Sequence, residues 1–501
     1  MKRKAAIYIL PIASAVCAFL ITCIFSAPFL GFAMLIPFLI SLSKCQSFKE
    51  FIKASAIFFV IYYSLGYSFL LKLYELLGIN RTVGIILSIL SAVLLGALCA
   101  VLHMLPTLLY FRFSKKRVTD SFFYACLFTL GEFIISALPI IGYPMITLSL
   151  CMTDFKPFLQ ISSLFGSLFI TFLIVLINAL FTSALTARII SIKALAATAS
   201  AVVIFAAVTV FGVIRINTFS ADGENITAAA VQTDKRGLTK ISDSTASPFS
   251  DCMDDILSVK DADMIFLPET AITTDLDDFD ARYDIRTVLS KTNAELLTGI
   301  FEDTDDGSYN AFCAFSQRGT AVYRKNSLVL FGEYSLFSDK LFDGTDSLIS
   351  ADEIKPLKAQ NADVAVGICI ESIYPSVIRR QVKAGGEIIA VPTNDSWFFG
   401  THLQKLHLRH SVLRSVENAR YCVRAANSGI SAVISPMGEI IKSIPEGVTG
   451  AISAQITKLS KRTFYTLTGN LWLIVPIGGF LFVTFFNLKQ TRRIMLFKLD
   501  L

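Results

Sequence analysis

Val364-Ala-Val-Gly-Ile-Cys-Ile-Glu-Ser372 is the stretch on which the reading turns. Its apolar, β-branched start predicts a buried strand. Cys369 stands at the end of that strand, on a rigid element, where a turn exposes its thiol. Leu267-Pro-Glu269 and Tyr323-Arg-Lys325 lie upstream, each closing an apolar run of its own. A glutamate, a lysine and a cysteine are a base, a cation and a nucleophile, the set that acyl transfer through a thioester requires.

Short apolar runs recur on both sides of these positions. Ile226-Thr-Ala-Ala-Ala-Val-Gln232, Asp263-Met-Ile-Phe-Leu267, Glu295-Leu-Leu-Thr-Gly-Ile300 and Asn310-Ala-Phe-Cys-Ala-Phe315 precede the cysteine. Glu387-Ile-Ile-Ala-Val391, Tyr421-Cys-Val-Arg424 and Ile430-Ser-Ala-Val-Ile434 follow it. Residues 402–419 read as a helix. Strands of this length mixed with helices predict an α/β layered fold for residues 216–462. A stretch of roughly 250 residues is ample for one core.

The rest of the chain is of another kind. Of 501 residues, 54% are hydrophobic and 17% charged, where a soluble domain carries about 25% charged. Residues 5–43, 54–71, 158–187, 194–214 and 463–488 hold no charge at all. Residues 82–111 hold only His103 of the ionisable class, and 118–153 only Asp120 and Glu132. A helix crosses the hydrocarbon core with about 20 apolar residues. The expectation is therefore about eight spans: seven in residues 1–215, the first two joined by a turn near Pro28, and one in residues 463–501. The start, Met-Lys-Arg-Lys before an apolar run, is that of a first span rather than of a cleaved signal, because further spans follow at once.

Basic residues set the orientation. Lys2, Arg3 and Lys4 precede span 1; Lys44, Lys49 and Lys53 follow span 2. Arg112, Lys115, Lys116 and Arg117 follow span 4, Arg188 and Lys193 follow span 6, and Lys489, Arg492, Arg493 and Lys498 follow span 8. All fall on one side, the cytoplasmic one, so an odd number of spans puts residues 216–462 outside. The net charge of +6 belongs mostly to these loops. It indicates membrane topology and excludes a nucleic-acid surface, since no basic patch carries interleaved aromatics.

Of the ten cysteines, Cys17, Cys23, Cys99, Cys126 and Cys151 lie in or beside spans as small apolar fillers, and Cys45 in an inner loop. Cys252, Cys313, Cys369 and Cys422 are in the polar region. No CxxC pair occurs, so no zinc or thioredoxin-like site is expected. With Cys369 free, one disulfide at most forms among the other three, and the sequence leaves the pair open. The spacing of His402, His407 and His410 is no metal-ligand pattern and reads as a polar loop and helix face. Arg414, Glu417 and Arg420 read as a salt-bridged helix face. Glu132, inside a span, is costly unless paired, so a functional role is its default reading, beside a helix–helix hydrogen bond.

The ordered set Glu269, Lys325, Cys369 resembles the carbon–nitrogen hydrolase (nitrilase) superfamily. The contexts are Leu-Pro-Glu-Thr-Ala271, Tyr-Arg-Lys-Asn-Ser327 with Phe331-Gly-Glu333, and Gly-Ile-Cys-Ile-Glu371. With apolar spans on both sides, the chain resembles the apolipoprotein N-acyltransferase family. Asn394-Asp-Ser-Trp-Phe398, Arg414-Ser-Val-Glu417, Ala426-Asn-Ser-Gly-Ile430 and Pro436-Met-Gly-Glu439 fit that family, as do Gly131-Glu132-Phe133 and Gly142-Tyr143-Pro144 in the apolar part. Two positions depart from its pattern. Ile370 stands where the family usually has an aromatic, and Val231-Gln-Thr-Asp-Lys-Arg-Gly237 lacks a tryptophan. In the family both shape the lipid entrance.

The resemblance implies an αββα sandwich on the extracytoplasmic side of a bacterial inner membrane. It implies an acyltransferase that moves an acyl chain from a phospholipid to the α-amino group of a diacylglyceryl N-terminal cysteine on an apolipoprotein. Glu269 would be the base, Lys325 the oxyanion partner and Cys369 the nucleophile. Glu333 and Glu371 would be supporting carboxylates, and Trp397, Glu132 and Asn394 would bind substrate. No cofactor or metal is implied, and a monomer is expected. A membrane-anchored carbon–nitrogen amidase passing its acyl group to water would share these residues but has no need of seven preceding spans. A transporter with a dead outer domain would have no need of the intact Glu269, Lys325 and Cys369.

Overall fold

A computed structural model of the chain describes residues 2–72, 74, 80–114, 121–138, 143–187, 191–234, 249–273, 278–330, 332–335, 347–479 and 481. The chain divides into two units. One comprises Met1–Leu71, Ile85–Arg215 and Asn470–Leu501, the other Lys72–Gly84 and Ile216–Gly469.

The first unit is helical: α1 (Lys2–Phe19), α2 (Ile36–Lys44), α3 (Phe48–Gly66), α4 (Arg81–Ser114), α5 (Ser121–Ala137), α6 (Ser167–Leu185) and α7 (Ile192–Thr218). Among the described residues five helical stretches are long and apolar enough to cross a membrane: Arg3–Ile24, Phe48–Lys72, Arg81–Leu108, Ser167–Leu185 and Ile192–Thr218. Two more apolar stretches, Pro28–Lys44 and Ser121–Ala137, are shorter. Among the described residues, then, five of the expected eight spans have the length to cross, and two further apolar runs form shorter helices. Within 463–488 a helix at Phe464–Thr468 and a 3-10 turn at Leu471–Leu473 lead into helical residues 474–479, and 480 and 482–488 lie outside the described residues. So do Asp120, Gly142, Lys115, Lys116, Arg117, Arg188, Lys489, Arg492, Arg493 and Lys498.

The breaks have a chemical cause that hydropathy does not register. Backbone groups away from water need partners, and irregular backbone persists only where side chains supply them. Between α1 and α2 the chain turns through a π-helical turn (Leu20–Ile24) and a 3-10 turn (Pro28–Phe32). Asn178 of α6 bridges that turn, accepting from Leu35 N at 3.0 Å and donating to Gly31 O at 2.9 Å. After α5 the chain forms a 3-10 turn at Leu148–Met152. Glu132 serves it from α5: its Oε1 accepts from Leu148 N at 2.9 Å and its Oε2 from Thr171 Oγ1 of α6 at 2.7 Å. Asn178 and Glu132 thus each close a gap in the backbone ladder.

In the second unit the strands are β1 (Asn225–Gln232), β2 (Met264–Phe266), β3 (Glu295–Thr304), β4 (Gly307–Ser316), β5 (Gly319–Arg324), β6 (Leu357–Lys358), β7 (Asp363–Val366), β8 (Ile388–Asn394), β9 (Cys422–Asn427), β10 (Ser431–Ile434), β11 (Ile440–Ile444) and β12 (Gly450–Thr457). They form two six-stranded sheets among the described residues, ordered β12-β1-β2-β3-β4-β5 and β11-β10-β9-β8-β7-β6. Strand periodicity of two sorts their side chains. Ala228 and Ala230 of β1 join Phe266, Leu297 and Phe312 against Val364, Val366, Ile388, Ala390 and Val423 of the other sheet. The alternate residues Ala229 and Val231 face away, to Ile256 and to Ala281, Ile285 and Val288 of α8 (Phe279–Lys291). Helices α9 (Pro375–Lys383) and α10 (Leu403–Asn418) pack on the second sheet. The layers run helix, sheet, sheet, helix; the parallel strands β2 and β7 end on the loops that carry Glu269 and Cys369, and β8 ends at Asn394 itself.

Candidate active site

Cys369 follows β7 after Gly367 and Ile368 and opens a 3-10 turn, Cys369–Ile373. Its φ is +50°, a left-handed conformation that a residue with a Cβ adopts only when its surroundings hold it there. Glu371 supplies much of that hold. Its carboxylate accepts from Ile368 N at 2.9 Å, Asn326 N at 2.7 Å, Ser327 N at 3.2 Å and the Tyr323 hydroxyl at 3.0 Å. One buried side chain therefore ties the turn at Cys369 to the segment following Lys325. Burial pushes Glu371 up to about 7, against the pull of those N–H donors and of Lys325. Arg414 adds a second brace, donating to the carbonyls of Ser372 and Ile373, each at 3.3 Å. The Arg414–Glu417 pair is buried rather than a solvated face, and Arg420 donates to the carbonyls of Gly386 and Lys461.

Glu269 leaves β2 through Leu267 and Pro268, followed by Thr270 at φ +50°. Gly299 on β3 makes room for this loop, since a Cβ there would lie 2.4 Å from Thr270 N and 2.6 Å from Glu269 Cα. Glu269 Oε1 accepts from Lys325 Nζ at 3.0 Å and Asn310 Nδ2 at 2.8 Å, and its Oε2 from Asn394 N at 2.9 Å. Lys325 also donates to Glu333 Oε1 at 2.7 Å, and Asn310 Nδ2 to the same oxygen at 2.7 Å. Lys325 and Asn310 thus both bridge the two carboxylates. Burial alone would push Lys325 down, but Glu269 and Glu333 hold it well above the usual lysine range. Its ammonium group sits between two carboxylates.

Electrostatics join Cys369 to this group. Burial pushes its thiol well above the ordinary cysteine range and Glu269 pushes it further, while Lys325 opposes the rise. A raised thiol under the influence of the Glu269 charge suits general-base activation rather than a preformed thiolate pair.

The structure thus brings Glu269, Lys325, Glu333, Cys369 and Glu371 into one cluster. Asn394 adjoins it through its backbone N–H, while its Oδ1 accepts from Ser396 Oγ and Asn427 Nδ2. Trp397 is half-buried, its ring in van der Waals range of the position a Cβ on Gly332 would occupy. Glu132 lies in the helical unit with both carboxylate oxygens engaged as described. Phe331 and residues 235–237 lie outside the described residues. Of the histidines read as a polar face, His407 is buried and bonded within the cluster's support. No group of three or more His, Cys, Asp or Glu side chains fit to hold a metal occurs among the described residues. The sequence reading passed over Asn310 and Asp395 with His407; a buried asparagine inside an apolar strand was the one signal, because strands are depleted in it.

Two families match the chain in succession. Residues 14–180 match the apolipoprotein N-acyltransferase N-terminal domain, and residues 227–463 match the carbon-nitrogen hydrolase family. An apolipoprotein N-acyltransferase of Pseudomonas aeruginosa (strain LESB58) is 30% identical over 251 residues, 47% of this chain and 48% of that protein. The enzyme of that name from Photobacterium profundum is 30% identical over 42% of this chain and 44% of its own length, and that from Aquifex aeolicus 32% identical over 38% and 45%. The chain spans about half the length of the curated relatives it matches.

Proposed function

Because this chain belongs to the apolipoprotein N-acyltransferase family, we propose that it transfers an acyl chain from a phospholipid to the α-amino group of a diacylglyceryl N-terminal cysteine, through a thioester on Cys369. The observation that carries the reading is the buried Lys325 bridging Glu269 and Glu333 within electrostatic reach of the Cys369 thiol.

Glu269 takes the thiol proton as Sγ attacks the ester carbonyl carbon. The carbonyl oxygen becomes an anion, which Lys325 and backbone N–H groups of the Cys369 turn stabilise. The intermediate collapses by breaking the bond to the glycerol oxygen, and Glu269 returns its proton to that leaving alcohol. In the second half the amine attacks the thioester, Glu269 takes a proton from the nitrogen, and the thiol is released. Lys325 begins as a cation held by both carboxylates, and Glu333 still faces it while Glu269 carries the proton. Glu333 and Glu371 orient Lys325 and the cysteine turn. Trp397, Asn394 and Glu132 remain substrate-side candidates, with Glu132's bonds to Leu148 and Thr171 favouring a structural part.

Both substrates carry acyl chains and are confined to a bilayer, which gives the helical unit its purpose. In this reading residues 1–215 and the segment after 462 anchor the chain in a bacterial inner membrane. The catalytic region, 216–462, faces the extracytoplasmic side, as the placement of basic residues supports. A site against the lipid surface also withholds water from the thioester.

The test incubates the purified protein in lipid with a diacylglyceryl-cysteine peptide and phospholipid, beside Cys369→Ala, and weighs the peptide. An added acyl mass lost in the variant supports the reading. Free fatty acid with an unchanged peptide would make it a hydrolase instead.

A further inference from the structure

Behind the nucleophile lies a buried chain of polar groups that the proposed chemistry does not use. His407 Nδ1 is 2.9 Å from Asp395 Oδ1, and its Nε2 is 2.9 Å from the Cys369 carbonyl oxygen and 2.8 Å from Ser372 Oγ. Asp395 pairs through its other oxygen with Arg424, and Thr393 Oγ1 donates to Oδ1. Ser372 Oγ donates to the Cys369 carbonyl at 2.8 Å. The order Ser372, His407, Asp395 has the connectivity of a nucleophilic triad. Ser372, however, is fully buried and its hydrogen points to a backbone carbonyl, so no substrate reaches it. The set faces the cysteine turn instead.

The protons follow from donor and acceptor counting. Asp395 paired with Arg424 is an acceptor, so Nδ1 must donate to it. The Cys369 carbonyl is an acceptor, and the Ser372 hydrogen is already committed to it, so Nε2 must donate as well. A ring that donates from both nitrogens is an imidazolium. We propose that His407 is a positioning residue held as a buried imidazolium, which fixes the left-handed Cys369 turn through its carbonyl oxygen and polarises the Cys369–Ile370 peptide so that its N–H meets the developing oxyanion. The charged group that faces it is Asp395, with Arg424 beyond. A cation at that carbonyl draws charge along the peptide bond and leaves the N–H a stronger donor. The catalytic consequence rests on the reading of Cys369 as nucleophile; the protonation state does not.

Two measurements test it. The full chain, labelled with ¹⁵N-histidine in lipid, contains four histidines, and the His407→Gln variant assigns the ring in question. Directly bonded protons on both His407 nitrogens at pH 8 are expected; a neutral ring with one protonated nitrogen overturns the proposal. In single-turnover acylation with phospholipid, His407→Gln and Asp395→Asn are expected to lose on the order of 100-fold in the rate of thioester formation with phospholipid KM unchanged. Wild-type rates, or a loss carried by KM, overturn the positioning role. A wild-type protein that forms no thioester would instead remove the proposed function, while the ring protonation still decides the imidazolium.

Discussion

Lys325 Nζ lies 3.0 Å from Glu269 Oε1 with neither side chain more than marginally exposed, at 1% and 6%. An ion pair so placed is uneven in its consequences. Removing the cation leaves Glu269 and Glu333 as buried anions with Asn310 as their remaining shared donor. Lys325→Met is therefore expected to abolish thioester formation and to lower stability by about 3–5 kcal/mol. Lys325→Arg does not restore activity, because a planar fork cannot reproduce a point donor between two carboxylates. Single-turnover acylation and thermal unfolding in detergent check both parts. A folded, active Lys325→Met would remove lysine from the oxyanion role.

Cys369 carries a prediction in pH. Its thiol sits above the ordinary range, with burial the first cause and Glu269 the second. A raised pKa means that the thiolate fraction stays low at neutral pH and grows only on the alkaline side. Iodoacetamide labelling of Cys369 is expected to be slow at pH 7 and still rising at pH 9. Glu269→Gln removes a negative charge that raises the thiol, so its labelling profile moves to lower pH while acyl transfer is lost. Parallel loss of labelling and transfer in that variant would contradict the electrostatic assignment, and a wild-type plateau below pH 8 would show a preformed thiolate.

Where the sequence was legible and where it was not follows from the range of the interactions. Glu269, Lys325 and Cys369 each close an apolar run, so position at the strand ends marked them, although β2, β5 and β7 are nowhere neighbours and the packing of one sheet on the other brings their ends together. His407 donates to a carbonyl 38 residues away, and a bond to backbone leaves no pattern of residue types. The apolar runs that form shorter helices escaped notice for a related reason. Hydropathy sums composition, and the run 118–153 holds only Asp120 and Glu132 of the charged class, but its backbone leaves the helix after Ala137 and Glu132 offers Leu148 an acceptor. Tyr143-Pro144 marked a bend there; the carboxylate that makes the bend tolerable was read as a possible substrate contact.

Glu132 therefore separates charge from hydrogen bonding. Its oxygens accept from Leu148 N and Thr171 Oγ1, and a glutamine keeps one acceptor while its amide donates to the threonine hydroxyl. Glu132→Gln is expected to match the wild type in yield and thermal midpoint, and Glu132→Leu to fall by about 1–3 kcal/mol for the orphaned donors. Loss of acyl transfer in a stable Glu132→Gln would instead assign the carboxylate a direct part with substrate.

Gly299 tests the geometry of the base without touching a reacting group. A methyl there would meet Thr270 N at 2.4 Å and Glu269 Cα at 2.6 Å. Both are backbone atoms, so no side-chain rotation relieves the clash, and the loop carrying Glu269 must move. Glu269 is held by Lys325, Asn310 and the Asn394 N–H at once, so a displacement of a few tenths of an ångström strains three hydrogen bonds together. Gly299→Ala is expected to cost about 1–3 kcal/mol in stability and on the order of 100-fold in the acylation rate, with Cys369 still labelled by iodoacetamide because its own turn is braced separately by Glu371. Gly478→Ala, where a Cβ meets nothing within 4 Å, serves as the neutral control. A Gly299→Ala protein that acylates at the wild-type rate would show that Glu269 tolerates displacement, and the base would then have to be sought elsewhere in the cluster.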